Sequence, residues 1–119
     1  AALADGKTYF ELFAPGAVFI GTAPEERWTI AQFRAYAEPY FDAGTGWTYV
    51  PTERNVYVDP HGHVAWFDER LDNAKYGECR GTGVVVRIGE RWLIAQYSLS
   101  LPLPNEITGD VVEMIRGRG

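Results

Sequence analysis

The sequence has few basic residues, a single cysteine and no long apolar run, and each shortage argues against a class of protein. Lysine and arginine total 11 against 16 aspartate and glutamate residues, which gives a formal net charge of -5 and a pI near 4.9. Because phosphate binding needs clustered Lys and Arg, this balance argues against nucleic acid or an anionic membrane as the main partner. The one cysteine, Cys79, excludes an intrachain disulfide and fits a reducing compartment.

The first residues, AALADGKTYFELF, have neither the basic start nor the apolar stretch of a signal peptide or membrane anchor. We therefore expect a cytoplasmic protein. The length of 119 residues predicts a single domain spanning residues 1–119, which can bury a core without a disulfide, a metal or a cofactor. Aromatic residues are frequent, with four Trp and seven Tyr, and rings in such numbers suit a concave apolar binding site.

Hydrophobic spacing and turn residues predict an ordered set of helices and strands. Thr29 offers an N-cap for the second helix, and Asn105 or Thr108 offers one for a last helix that ends near residue 116. Pro51 interrupts a strand and implies an edge strand or a bulge, whereas residues 59–63, DPHGH, have turn composition. The earlier helices are predicted over residues 1–13 and 30–41, and the strand runs over 17–21, 47–50, 54–58, 64–71, 77–88 and 91–101.

This order of elements predicts an α+β fold in which helices pack against one face of a curved antiparallel sheet. Such a cone-shaped arrangement leaves a cavity near its open end unless large side chains fill it. The strands between residues 64 and 100 carry polar residues where a plain core has none. We therefore expect these strands to form one wall of a small-molecule pocket.

The chain also resembles a known family over residues 9–106. The segments AVFIGT, ERWT, FRAYAEPYF, GWTY, AWFDE, YGECRGTG, RWLIAQYSLS and PLPNE, in this order, are similar to the SnoaL-like branch of the nuclear transport factor 2-like superfamily. The resemblance implies a cone-shaped fold, a central pocket and frequent homodimerisation. It leaves the chemistry open, because the superfamily includes polyketide cyclases, ketosteroid isomerases, dehydratases, hydrolases and non-catalytic binding domains.

One departure from the family pattern concerns the last strand. The cyclase and isomerase members use an acidic residue or an Asp–His pair to move a proton beside a carbonyl. This chain carries Gln96 and Ser98 where related sequences often place histidine. Neither side chain can act as a general base at neutral pH, which argues against cyclase activity.

Alternation along the last strand divides its residues into a mixed set and an apolar set. We assign the mixed set to the cavity and the apolar set to a partner subunit, because a flat apolar face needs burial. The reverse assignment stays open. The mixed set is Trp92, Ile94, Gln96, Ser98 and Ser100, and the apolar set is Leu93, Ala95, Tyr97, Leu99 and Leu101.

The face of the neighbouring strand depends on the turn at Gly89. A two-residue turn brings Cys79, Gly81, Gly83 and Val85 onto the face of Gln96, whereas a three-residue bulged turn brings the other set there. We favour the bulged turn, which places Glu78, Arg80, Thr82, Val84 and Val86 on that face and the glycines on the dimer face. On the preceding strand, the inward residues are predicted to be Ala65, Phe67 and Glu69, with Trp66 and Asp68 outward.

Glu69 and Arg80 are the candidate catalytic pair. Glu69 could serve as a general base or anchor a polar ligand, with Arg80 as its charge partner or as the group that binds a ligand carboxylate. A structural ion pair between adjacent strands explains the same two residues. The candidate ligand-binding residues, whose rings core packing explains equally well, are Tyr9, Phe13, Trp28, Tyr40, Tyr49, Phe67, Thr82, Trp92, Gln96 and Ser98.

Two weaker motifs are interpreted as structural. His61 and His63 lie in a Pro-Gly turn beside Asp59, and a zinc site needs more converging ligands, so we expect a solvated hairpin and no metal. Gly81 and Gly83 form GTG inside a strand without the following helix of a phosphate loop, which excludes a nucleotide site.

Three functions therefore remain open from the sequence. The first is a domain that binds a small apolar or aromatic ligand and forms a homodimer through the outer sheet face. The second is an isomerase, cyclase or dehydratase that acts on a small apolar carbonyl compound. The third is a purely structural dimerisation module, which a cavity filled by Trp28, Phe67 and Trp92 would favour.

Overall fold

A computed structural model of the protein describes residues 11–42 and 49–118, with the backbone alone for residues 38–42. In these ranges, six strands form one sheet in the order β2-β1-β6-β5-β4-β3. The strands are β1 (Phe13–Ile20), β2 (Arg27–Thr29), β3 (Val50–Val58), β4 (Val64–Asn73), β5 (Gly77–Ile88) and β6 (Arg91–Ser100), and the helices are α1 (Ile30–Asp42) and α2 (Asn105–Gly117).

The predicted α+β class is confirmed, with a curved sheet and helices outside it. The predicted meander is also confirmed, because β3, β4, β5 and β6 pair in antiparallel succession. The sheet is completed by β1, which pairs with β6 in parallel and with β2 antiparallel.

The beginning of the described chain differs from its prediction. The predicted first helix falls mostly on residues 1–10, which lie outside the described residues, and its expected last residue, Phe13, begins β1 instead. Pro15 and Gly16 do not end a helix here. They form an irregularity inside β1, where Gly16 adopts a φ of 78° and the register against β6 shifts between Phe13 and Val18.

Helix α1 begins at the cap that the sequence predicts. The Thr29 Oγ1 accepts a hydrogen bond from the Gln32 backbone N–H at 3.2 Å, and Gln32 Oε1 accepts one from the Thr29 N–H at 3.0 Å. This reciprocal capping box satisfies two backbone donors at the start of the helix. The helix then packs on β1 and β2 and buries Phe33 and Ala37.

The hydrophobic core lies between α1 and the inner face of the sheet. The rings of Phe19 on β1 and Phe33 on α1 stack with their centroids 3.9 Å apart. The other side chains of this cluster come from four elements of the sheet and from α1, and they are Phe13, Ala17, Ala37, Leu71, Cys79 and Leu99.

The β5–β6 hairpin has a two-residue turn, so the predicted three-residue bulged turn is wrong. Ile88 pairs with Arg91, so Gly89 and Glu90 form a two-residue turn, and Gly89 supplies the positive φ of 65° that such a turn requires. The extra residue that we expected in the turn lies further along β6 instead, at Ala95. Beyond this bulge the strands have the predicted pairing, since Arg80, Thr82 and Val84 share a face with Gln96 and Ser98.

Strand β3 lies at the edge of the sheet and has an irregular register. The register of β3 against β4 shifts between Pro51 and Glu53, and no strand pairs with the other side of β3 in the described residues. Both alternatives that Pro51 implied, an edge strand and a bulge, are therefore present. The following hairpin is held by Asp59, whose carboxylate accepts hydrogen bonds from the backbone N–H groups of His63 and Val64 at 2.8 and 3.1 Å.

Helix α2 differs from α1 because none of its residues is buried. The predicted cap at Asn105 or Thr108 is wrong, since Pro104 occupies the N-cap without a side-chain hydrogen bond and Thr108 donates to the Pro104 carbonyl at 3.3 Å. Large apolar side chains such as Met114 and Ile115 are exposed on this helix. Neither helix of the described chain is long and apolar enough to cross a bilayer.

Candidate functional site

A cavity of about 450 Å³ lies between the inner face of the sheet and α1. This volume falls within the range of small-molecule binding sites. The cavity is lined mainly by aromatic and aliphatic side chains, with a few polar groups among them. The lining residues are Leu12, Phe13, Phe19, Gly21, Thr22, Glu26, Trp28, Phe33, Tyr36, Tyr49, Arg54, Val56, Phe67, Glu69, Leu71, Tyr76, Val85, Ile94, Tyr97 and Leu99.

Glu69 is the buried charged residue of the cavity, with 6% of its surface exposed. Its Oε1 accepts a hydrogen bond from Arg54 Nε at 2.7 Å and lies 2.7 Å from Arg54 Nη2. Its Oε2 accepts a hydrogen bond from the Tyr97 hydroxyl at 2.7 Å. The carboxylate is therefore balanced by a guanidinium on one side and held by a phenol on the other.

Arg54 replaces Arg80 as the partner of Glu69, which corrects the predicted catalytic pair. Arg54 stands directly opposite Glu69 in the β3–β4 ladder. On the other side of β4 the residue opposite Glu69 is Gly81, so the neighbouring Arg80 points to the outer face and is exposed. The sequence held a signal for Arg54, because the turn at residues 59–63 brings it opposite Glu69 when both strands continue from the turn.

The predicted assignment of the β6 faces is wrong beyond the bulge at Ala95 and holds for Ile94 before it. Tyr97 and Leu99 from the apolar set line the cavity, whereas Gln96 and Ser98 lie on the outer face opposite Val84 and Thr82. Tyr97 and Leu99 face inward because the sheet closes over α1 and buries that side, whereas Leu93, before the bulge, pairs with Val86 on the outer face. Ile94 also lines the cavity, since the bulge at Ala95 places it and Tyr97 on the same face.

Several predicted ligand-binding residues lie away from the cavity. Thr82 and Gln96 are exposed on the outer face, Ser98 is half-buried there, and Trp92 is exposed near the β5–β6 turn. None of these four lines the cavity.

Four of the predicted ligand-binding rings do line the cavity: Phe13, Trp28, Tyr49 and Phe67. The predicted inward direction of Ala65, Phe67 and Glu69 on β4 is confirmed as well. Tyr9 lies outside the described residues, and the side chain of Tyr40 lies outside the described part of α1.

The glycines of β5 face the cavity rather than a partner subunit, and close contacts explain them. A Cβ atom at Gly81 would overlap the Tyr97 hydroxyl, and one at Gly83 would lie 2.6 Å from Cζ of Phe67 and 2.8 Å from the Gln96 carbonyl oxygen. Glycine at position 81 therefore leaves the space through which Tyr97 reaches Glu69, and glycine at position 83 leaves space for the Phe67 ring.

The aromatic side chains of the lining form a connected series. The ring centroids of Phe67 and Tyr97 are 6.0 Å apart, those of Tyr97 and Phe19 are 5.8 Å apart, and those of Phe19 and Trp28 are 6.3 Å apart. Trp28 in turn stacks on Tyr36 of α1 at 5.1 Å. These rings connect the Glu69 end of the cavity with the end formed by β2 and α1.

Tyr49 is a lining residue whose pKa is clearly perturbed. Burial, with smaller contributions from Cys79, Tyr76 and Glu26, raises the pKa of Tyr49 to about 12. Its hydroxyl is therefore neutral at physiological pH and can donate a hydrogen bond. Cys79 itself is a buried thiol whose pKa is raised by burial and by Asp72, which fits a packing role.

Sequence reasoning missed Arg54, Tyr97, Glu26 and Tyr36 as lining residues. His61 and His63 lie in the exposed hairpin, and the described residues contain no group of three or more His, Cys, Asp or Glu side chains that could hold a metal ion.

The sequence matches a known protein family. A family model described as a SnoaL-like domain matches residues 1–104. No curated protein matches the chain. The predicted family is confirmed by the first of these findings.

Solved structures give the same fold at low sequence identity. A nuclear transport factor 2-like protein of unknown function from Pseudomonas putida KT2440 is 18% identical, with a TM-score of 0.67 over 86% of this chain and 76% of that one. A candidate ketosteroid isomerase from Parabacteroides distasonis is 19% identical, with a TM-score of 0.69 over 87% of this chain and 80% of its own. A candidate dehydratase of the nuclear transport factor 2-like family from Streptomyces avermitilis is 13% identical, with a TM-score of 0.68 over 85% and 84% of the two chains. At these identities the likeness shows the fold alone.

Proposed function

The chain belongs to the SnoaL-like domain family, and on that premise we propose that it binds a small, largely apolar ligand in the cavity between the sheet and α1. The observation that carries the proposal is an open cavity of about 450 Å³ with a single buried carboxylate at one end. Apolar walls supply most of the binding free energy in such sites, and a few polar groups fix the orientation of the ligand.

The polar end of the cavity supports a site for one hydrogen-bonding group of the ligand. Glu69 already accepts hydrogen bonds from Arg54 and Tyr97, so its position is fixed before any ligand enters. Arg54 is 50% exposed in its side chain, and a guanidinium has five N–H donors, more than its contact with Glu69 uses. We expect a carbonyl or hydroxyl oxygen of the ligand to accept a hydrogen bond from Arg54, or a ligand hydroxyl to donate one to the Tyr97 oxygen, whose own proton is directed to Glu69.

A preformed cavity also distinguishes this proposal from a purely structural module. Trp28 and Phe67 lie along the cavity wall, and Trp92 is not among its lining residues. These rings leave the space open, which removes the main support for a module without a ligand.

An enzyme of the same fold is the alternative, and the short hydrogen bond between Tyr97 and Glu69 is the observation that favours it. A carboxylate and a phenol at the end of an apolar cavity are groups that an isomerase, cyclase or dehydratase can use beside a carbonyl. Binding ranks first because both oxygens of Glu69 already accept hydrogen bonds, which leaves few lone pairs for a substrate proton.

We further propose that the protein forms a homodimer through the outer face of its sheet. The support is an apolar patch made of Tyr57 and Trp66, whose rings are 6.3 Å apart, with Val84 and Val86 beside them. Tyr57 and Trp66 are 52% and 47% exposed, and a contiguous apolar face of this kind favours burial against a partner. The dimer face therefore differs in its residues from the one that the sequence predicted.

A neutral aromatic probe, 2-naphthalenemethanol, tests the binding function. Calorimetric or fluorescence titration should give saturable binding of one probe per chain. Val85→Trp, which fills the cavity, should weaken this binding at least about tenfold. Val84→Trp is the matched control, because the adjacent side chain lies on the outer face and the variant should bind as the native chain does.

Two results would contradict the proposal. If the native chain binds no probe, or if both Trp variants bind equally well, the cavity is not the binding site. Where Val85→Trp unfolds, Val56→Trp on the edge strand β3 fills the same cavity from a more exposed position. For the enzyme alternative, Glu69→Gln should abolish turnover of activated ketones, and an unchanged rate would exclude Glu69 as a base.

A further inference from the structure

We propose that the ligand of this cavity carries a cationic ammonium group and that the Glu26 carboxylate is its charge partner. The proposal rests on the proposed binding function and adds the chemical class of the ligand. Its basis is the distribution of charges and rings along the cavity, which differs between the Glu69 end and the Glu26 end.

Among the residues that the structure describes, three charged side chains line the cavity: Glu26, Arg54 and Glu69. Arg54 and Glu69 neutralise each other through contacts of 2.7 Å. Glu26 belongs to no ion pair in the described part of the chain, so these three side chains together carry one negative charge. That charge belongs to Glu26.

The Glu26 carboxylate is half-buried beside β2, and its two oxygens have different environments. Oε1 accepts a hydrogen bond from the Ala23 backbone N–H at 2.9 Å and lies so close to Gly21 that a Cβ there would be 2.7 Å away. Oε2 receives no hydrogen bond from any described residue. A half-buried carboxylate without a cation loses solvation, and a ligand cation would restore the balance.

Aromatic rings surround the same end of the cavity. Trp28 follows Glu26 by two residues, and both side chains line the cavity. Trp28 stacks on Tyr36 with centroids 5.1 Å apart, and Tyr49 is close enough for Glu26 to contribute to its raised pKa. Indole and phenol rings attract ammonium groups through their faces, and this attraction increases when the cation loses water.

Other ligand classes fit these groups less well. An anionic ligand would meet Glu26 directly, while Arg54, the one cation among the described lining residues, already contacts Glu69. A neutral ligand would leave Glu26 without a charge partner. Tyr76 is not included in the proposed cation site, because Lys75 already lies 5.3 Å from the centre of its ring.

Three probes with the same naphthalene body and different charges test the proposal. They are 2-naphthylmethylammonium, neutral 2-naphthalenemethanol and anionic 2-naphthoate, each titrated calorimetrically into the native chain at neutral pH and low salt. We expect the ammonium to bind about tenfold more tightly than the alcohol, and the naphthoate to bind most weakly.

Glu26→Gln should reduce the preference for the ammonium to within about twofold of the alcohol, because the charge is lost. Gln keeps an oxygen that can accept the Ala23 N–H, so the turn before β2 should be preserved. Glu25→Gln is the matched control, since this exposed neighbour does not line the cavity, and it should retain the native preference.

The outcomes separate this inference from the function on which it rests. Equal affinities for ammonium and alcohol, tighter binding of naphthoate, or a preference that survives Glu26→Gln would overturn the cation site and leave a binding cavity in place. Absence of binding for all three probes would overturn both the cation site and the proposed binding function.

Discussion

The hydroxyl of Tyr97 on β6 donates a 2.7 Å hydrogen bond to Oε2 of Glu69 on β4, and this bond crosses the width of the intervening strand β5. It passes over Gly81, where any side chain would overlap the hydroxyl. On the opposite side, Arg54 of β3 contacts the other oxygen of the same carboxylate. One buried side chain therefore connects β3, β4 and β6 at the end of the cavity.

Tyr97→Phe should lower the free energy of unfolding by about 1.5–3 kcal/mol, because a hydrogen bond to a charged group is lost while the ring stays in place. Urea denaturation measures the change. Tyr57→Phe, at an exposed ring on the outer face, is the matched control and should change the stability by less than about 0.5 kcal/mol. Equal effects of the two variants would show that the Tyr97 hydroxyl does not stabilise the buried carboxylate.

Gly83→Ala should destabilise the fold by about 1–3 kcal/mol, since the new methyl group meets Phe67 and a backbone carbonyl that cannot move freely. Thermal unfolding followed by circular dichroism gives the measurement. The control is Gly109→Ala in α2, where a Cβ meets no atom within 4 Å. If Gly83→Ala has the native melting temperature, the close packing of β5 against Phe67 is incorrect.

The strands of the meander could be predicted from the sequence because local signals define them. The turn at residues 59–63 and the glycine at position 89 separate runs of alternating residues, and β5 has the predicted bounds. The direction of Glu69 on β4 followed from the same alternation. Local chemistry was sufficient for these features.

The faces of β5 and β6 could not be predicted in the same way. Alternation divides residues into two sets, but it does not reveal which set the helix will cover. The bulge at Ala95 has no strong local signal, although it decides that Ile94 and Tyr97 share a face. For this reason Gln96 was expected in the cavity and Tyr97 outside it, and the structure reverses both.

The partners of Glu69 were missed because they are distant in sequence. Arg54 precedes Glu69 by 15 residues and Tyr97 follows it by 28. The sequence favours Arg80 as the partner because it lies on the adjacent strand, but the alternation along β5 turns it to the outer face. Side-chain chemistry indicated a buried acid, whereas strand register decided which groups surround it.

Stability should depend on alkaline pH through Tyr49. The unfolded chain ionises this phenol near pH 10, whereas burial raises its pKa to about 12 in the folded chain. The folded state therefore keeps a proton that the unfolded state loses, and the stability associated with the neutral hydroxyl falls as the pH rises from about 10 to 12. Below that range this contribution is fully present.

Tyr49→Phe removes the group that titrates, so its unfolding free energy should fall less steeply than that of the native chain across this pH range. Urea denaturation at several pH values compares the two slopes. Absorbance of the phenolate near 295 nm provides an independent test, because the variant should lack one tyrosine that ionises near pH 12. Parallel stability curves would contradict the raised pKa of Tyr49.

The proposed dimer should dissociate in Trp66→Glu, because a charge at the centre of the outer apolar patch cannot be buried without a partner. Sedimentation velocity measures the change in mass. Val58→Glu is the matched control: Val58 is 57% exposed, lies next to Tyr57 on β3 and belongs to the opposite face. A native chain that is monomeric at all concentrations tested would contradict the dimer, and dissociation in both variants would assign it to another surface.

Removal of helix α2 should leave the fold intact. No residue of this helix is buried, and the match to the SnoaL-like family model ends at residue 104. A chain that ends at Pro104 should therefore lose helical circular dichroism but keep its free energy of unfolding to within about 0.5 kcal/mol at one protein concentration. It should also bind 2-naphthalenemethanol with native affinity, since no α2 residue lines the cavity. A loss of more than about 1 kcal/mol would show that the exposed apolar side chains of α2, among them Met114 and Ile115, are packed in solution.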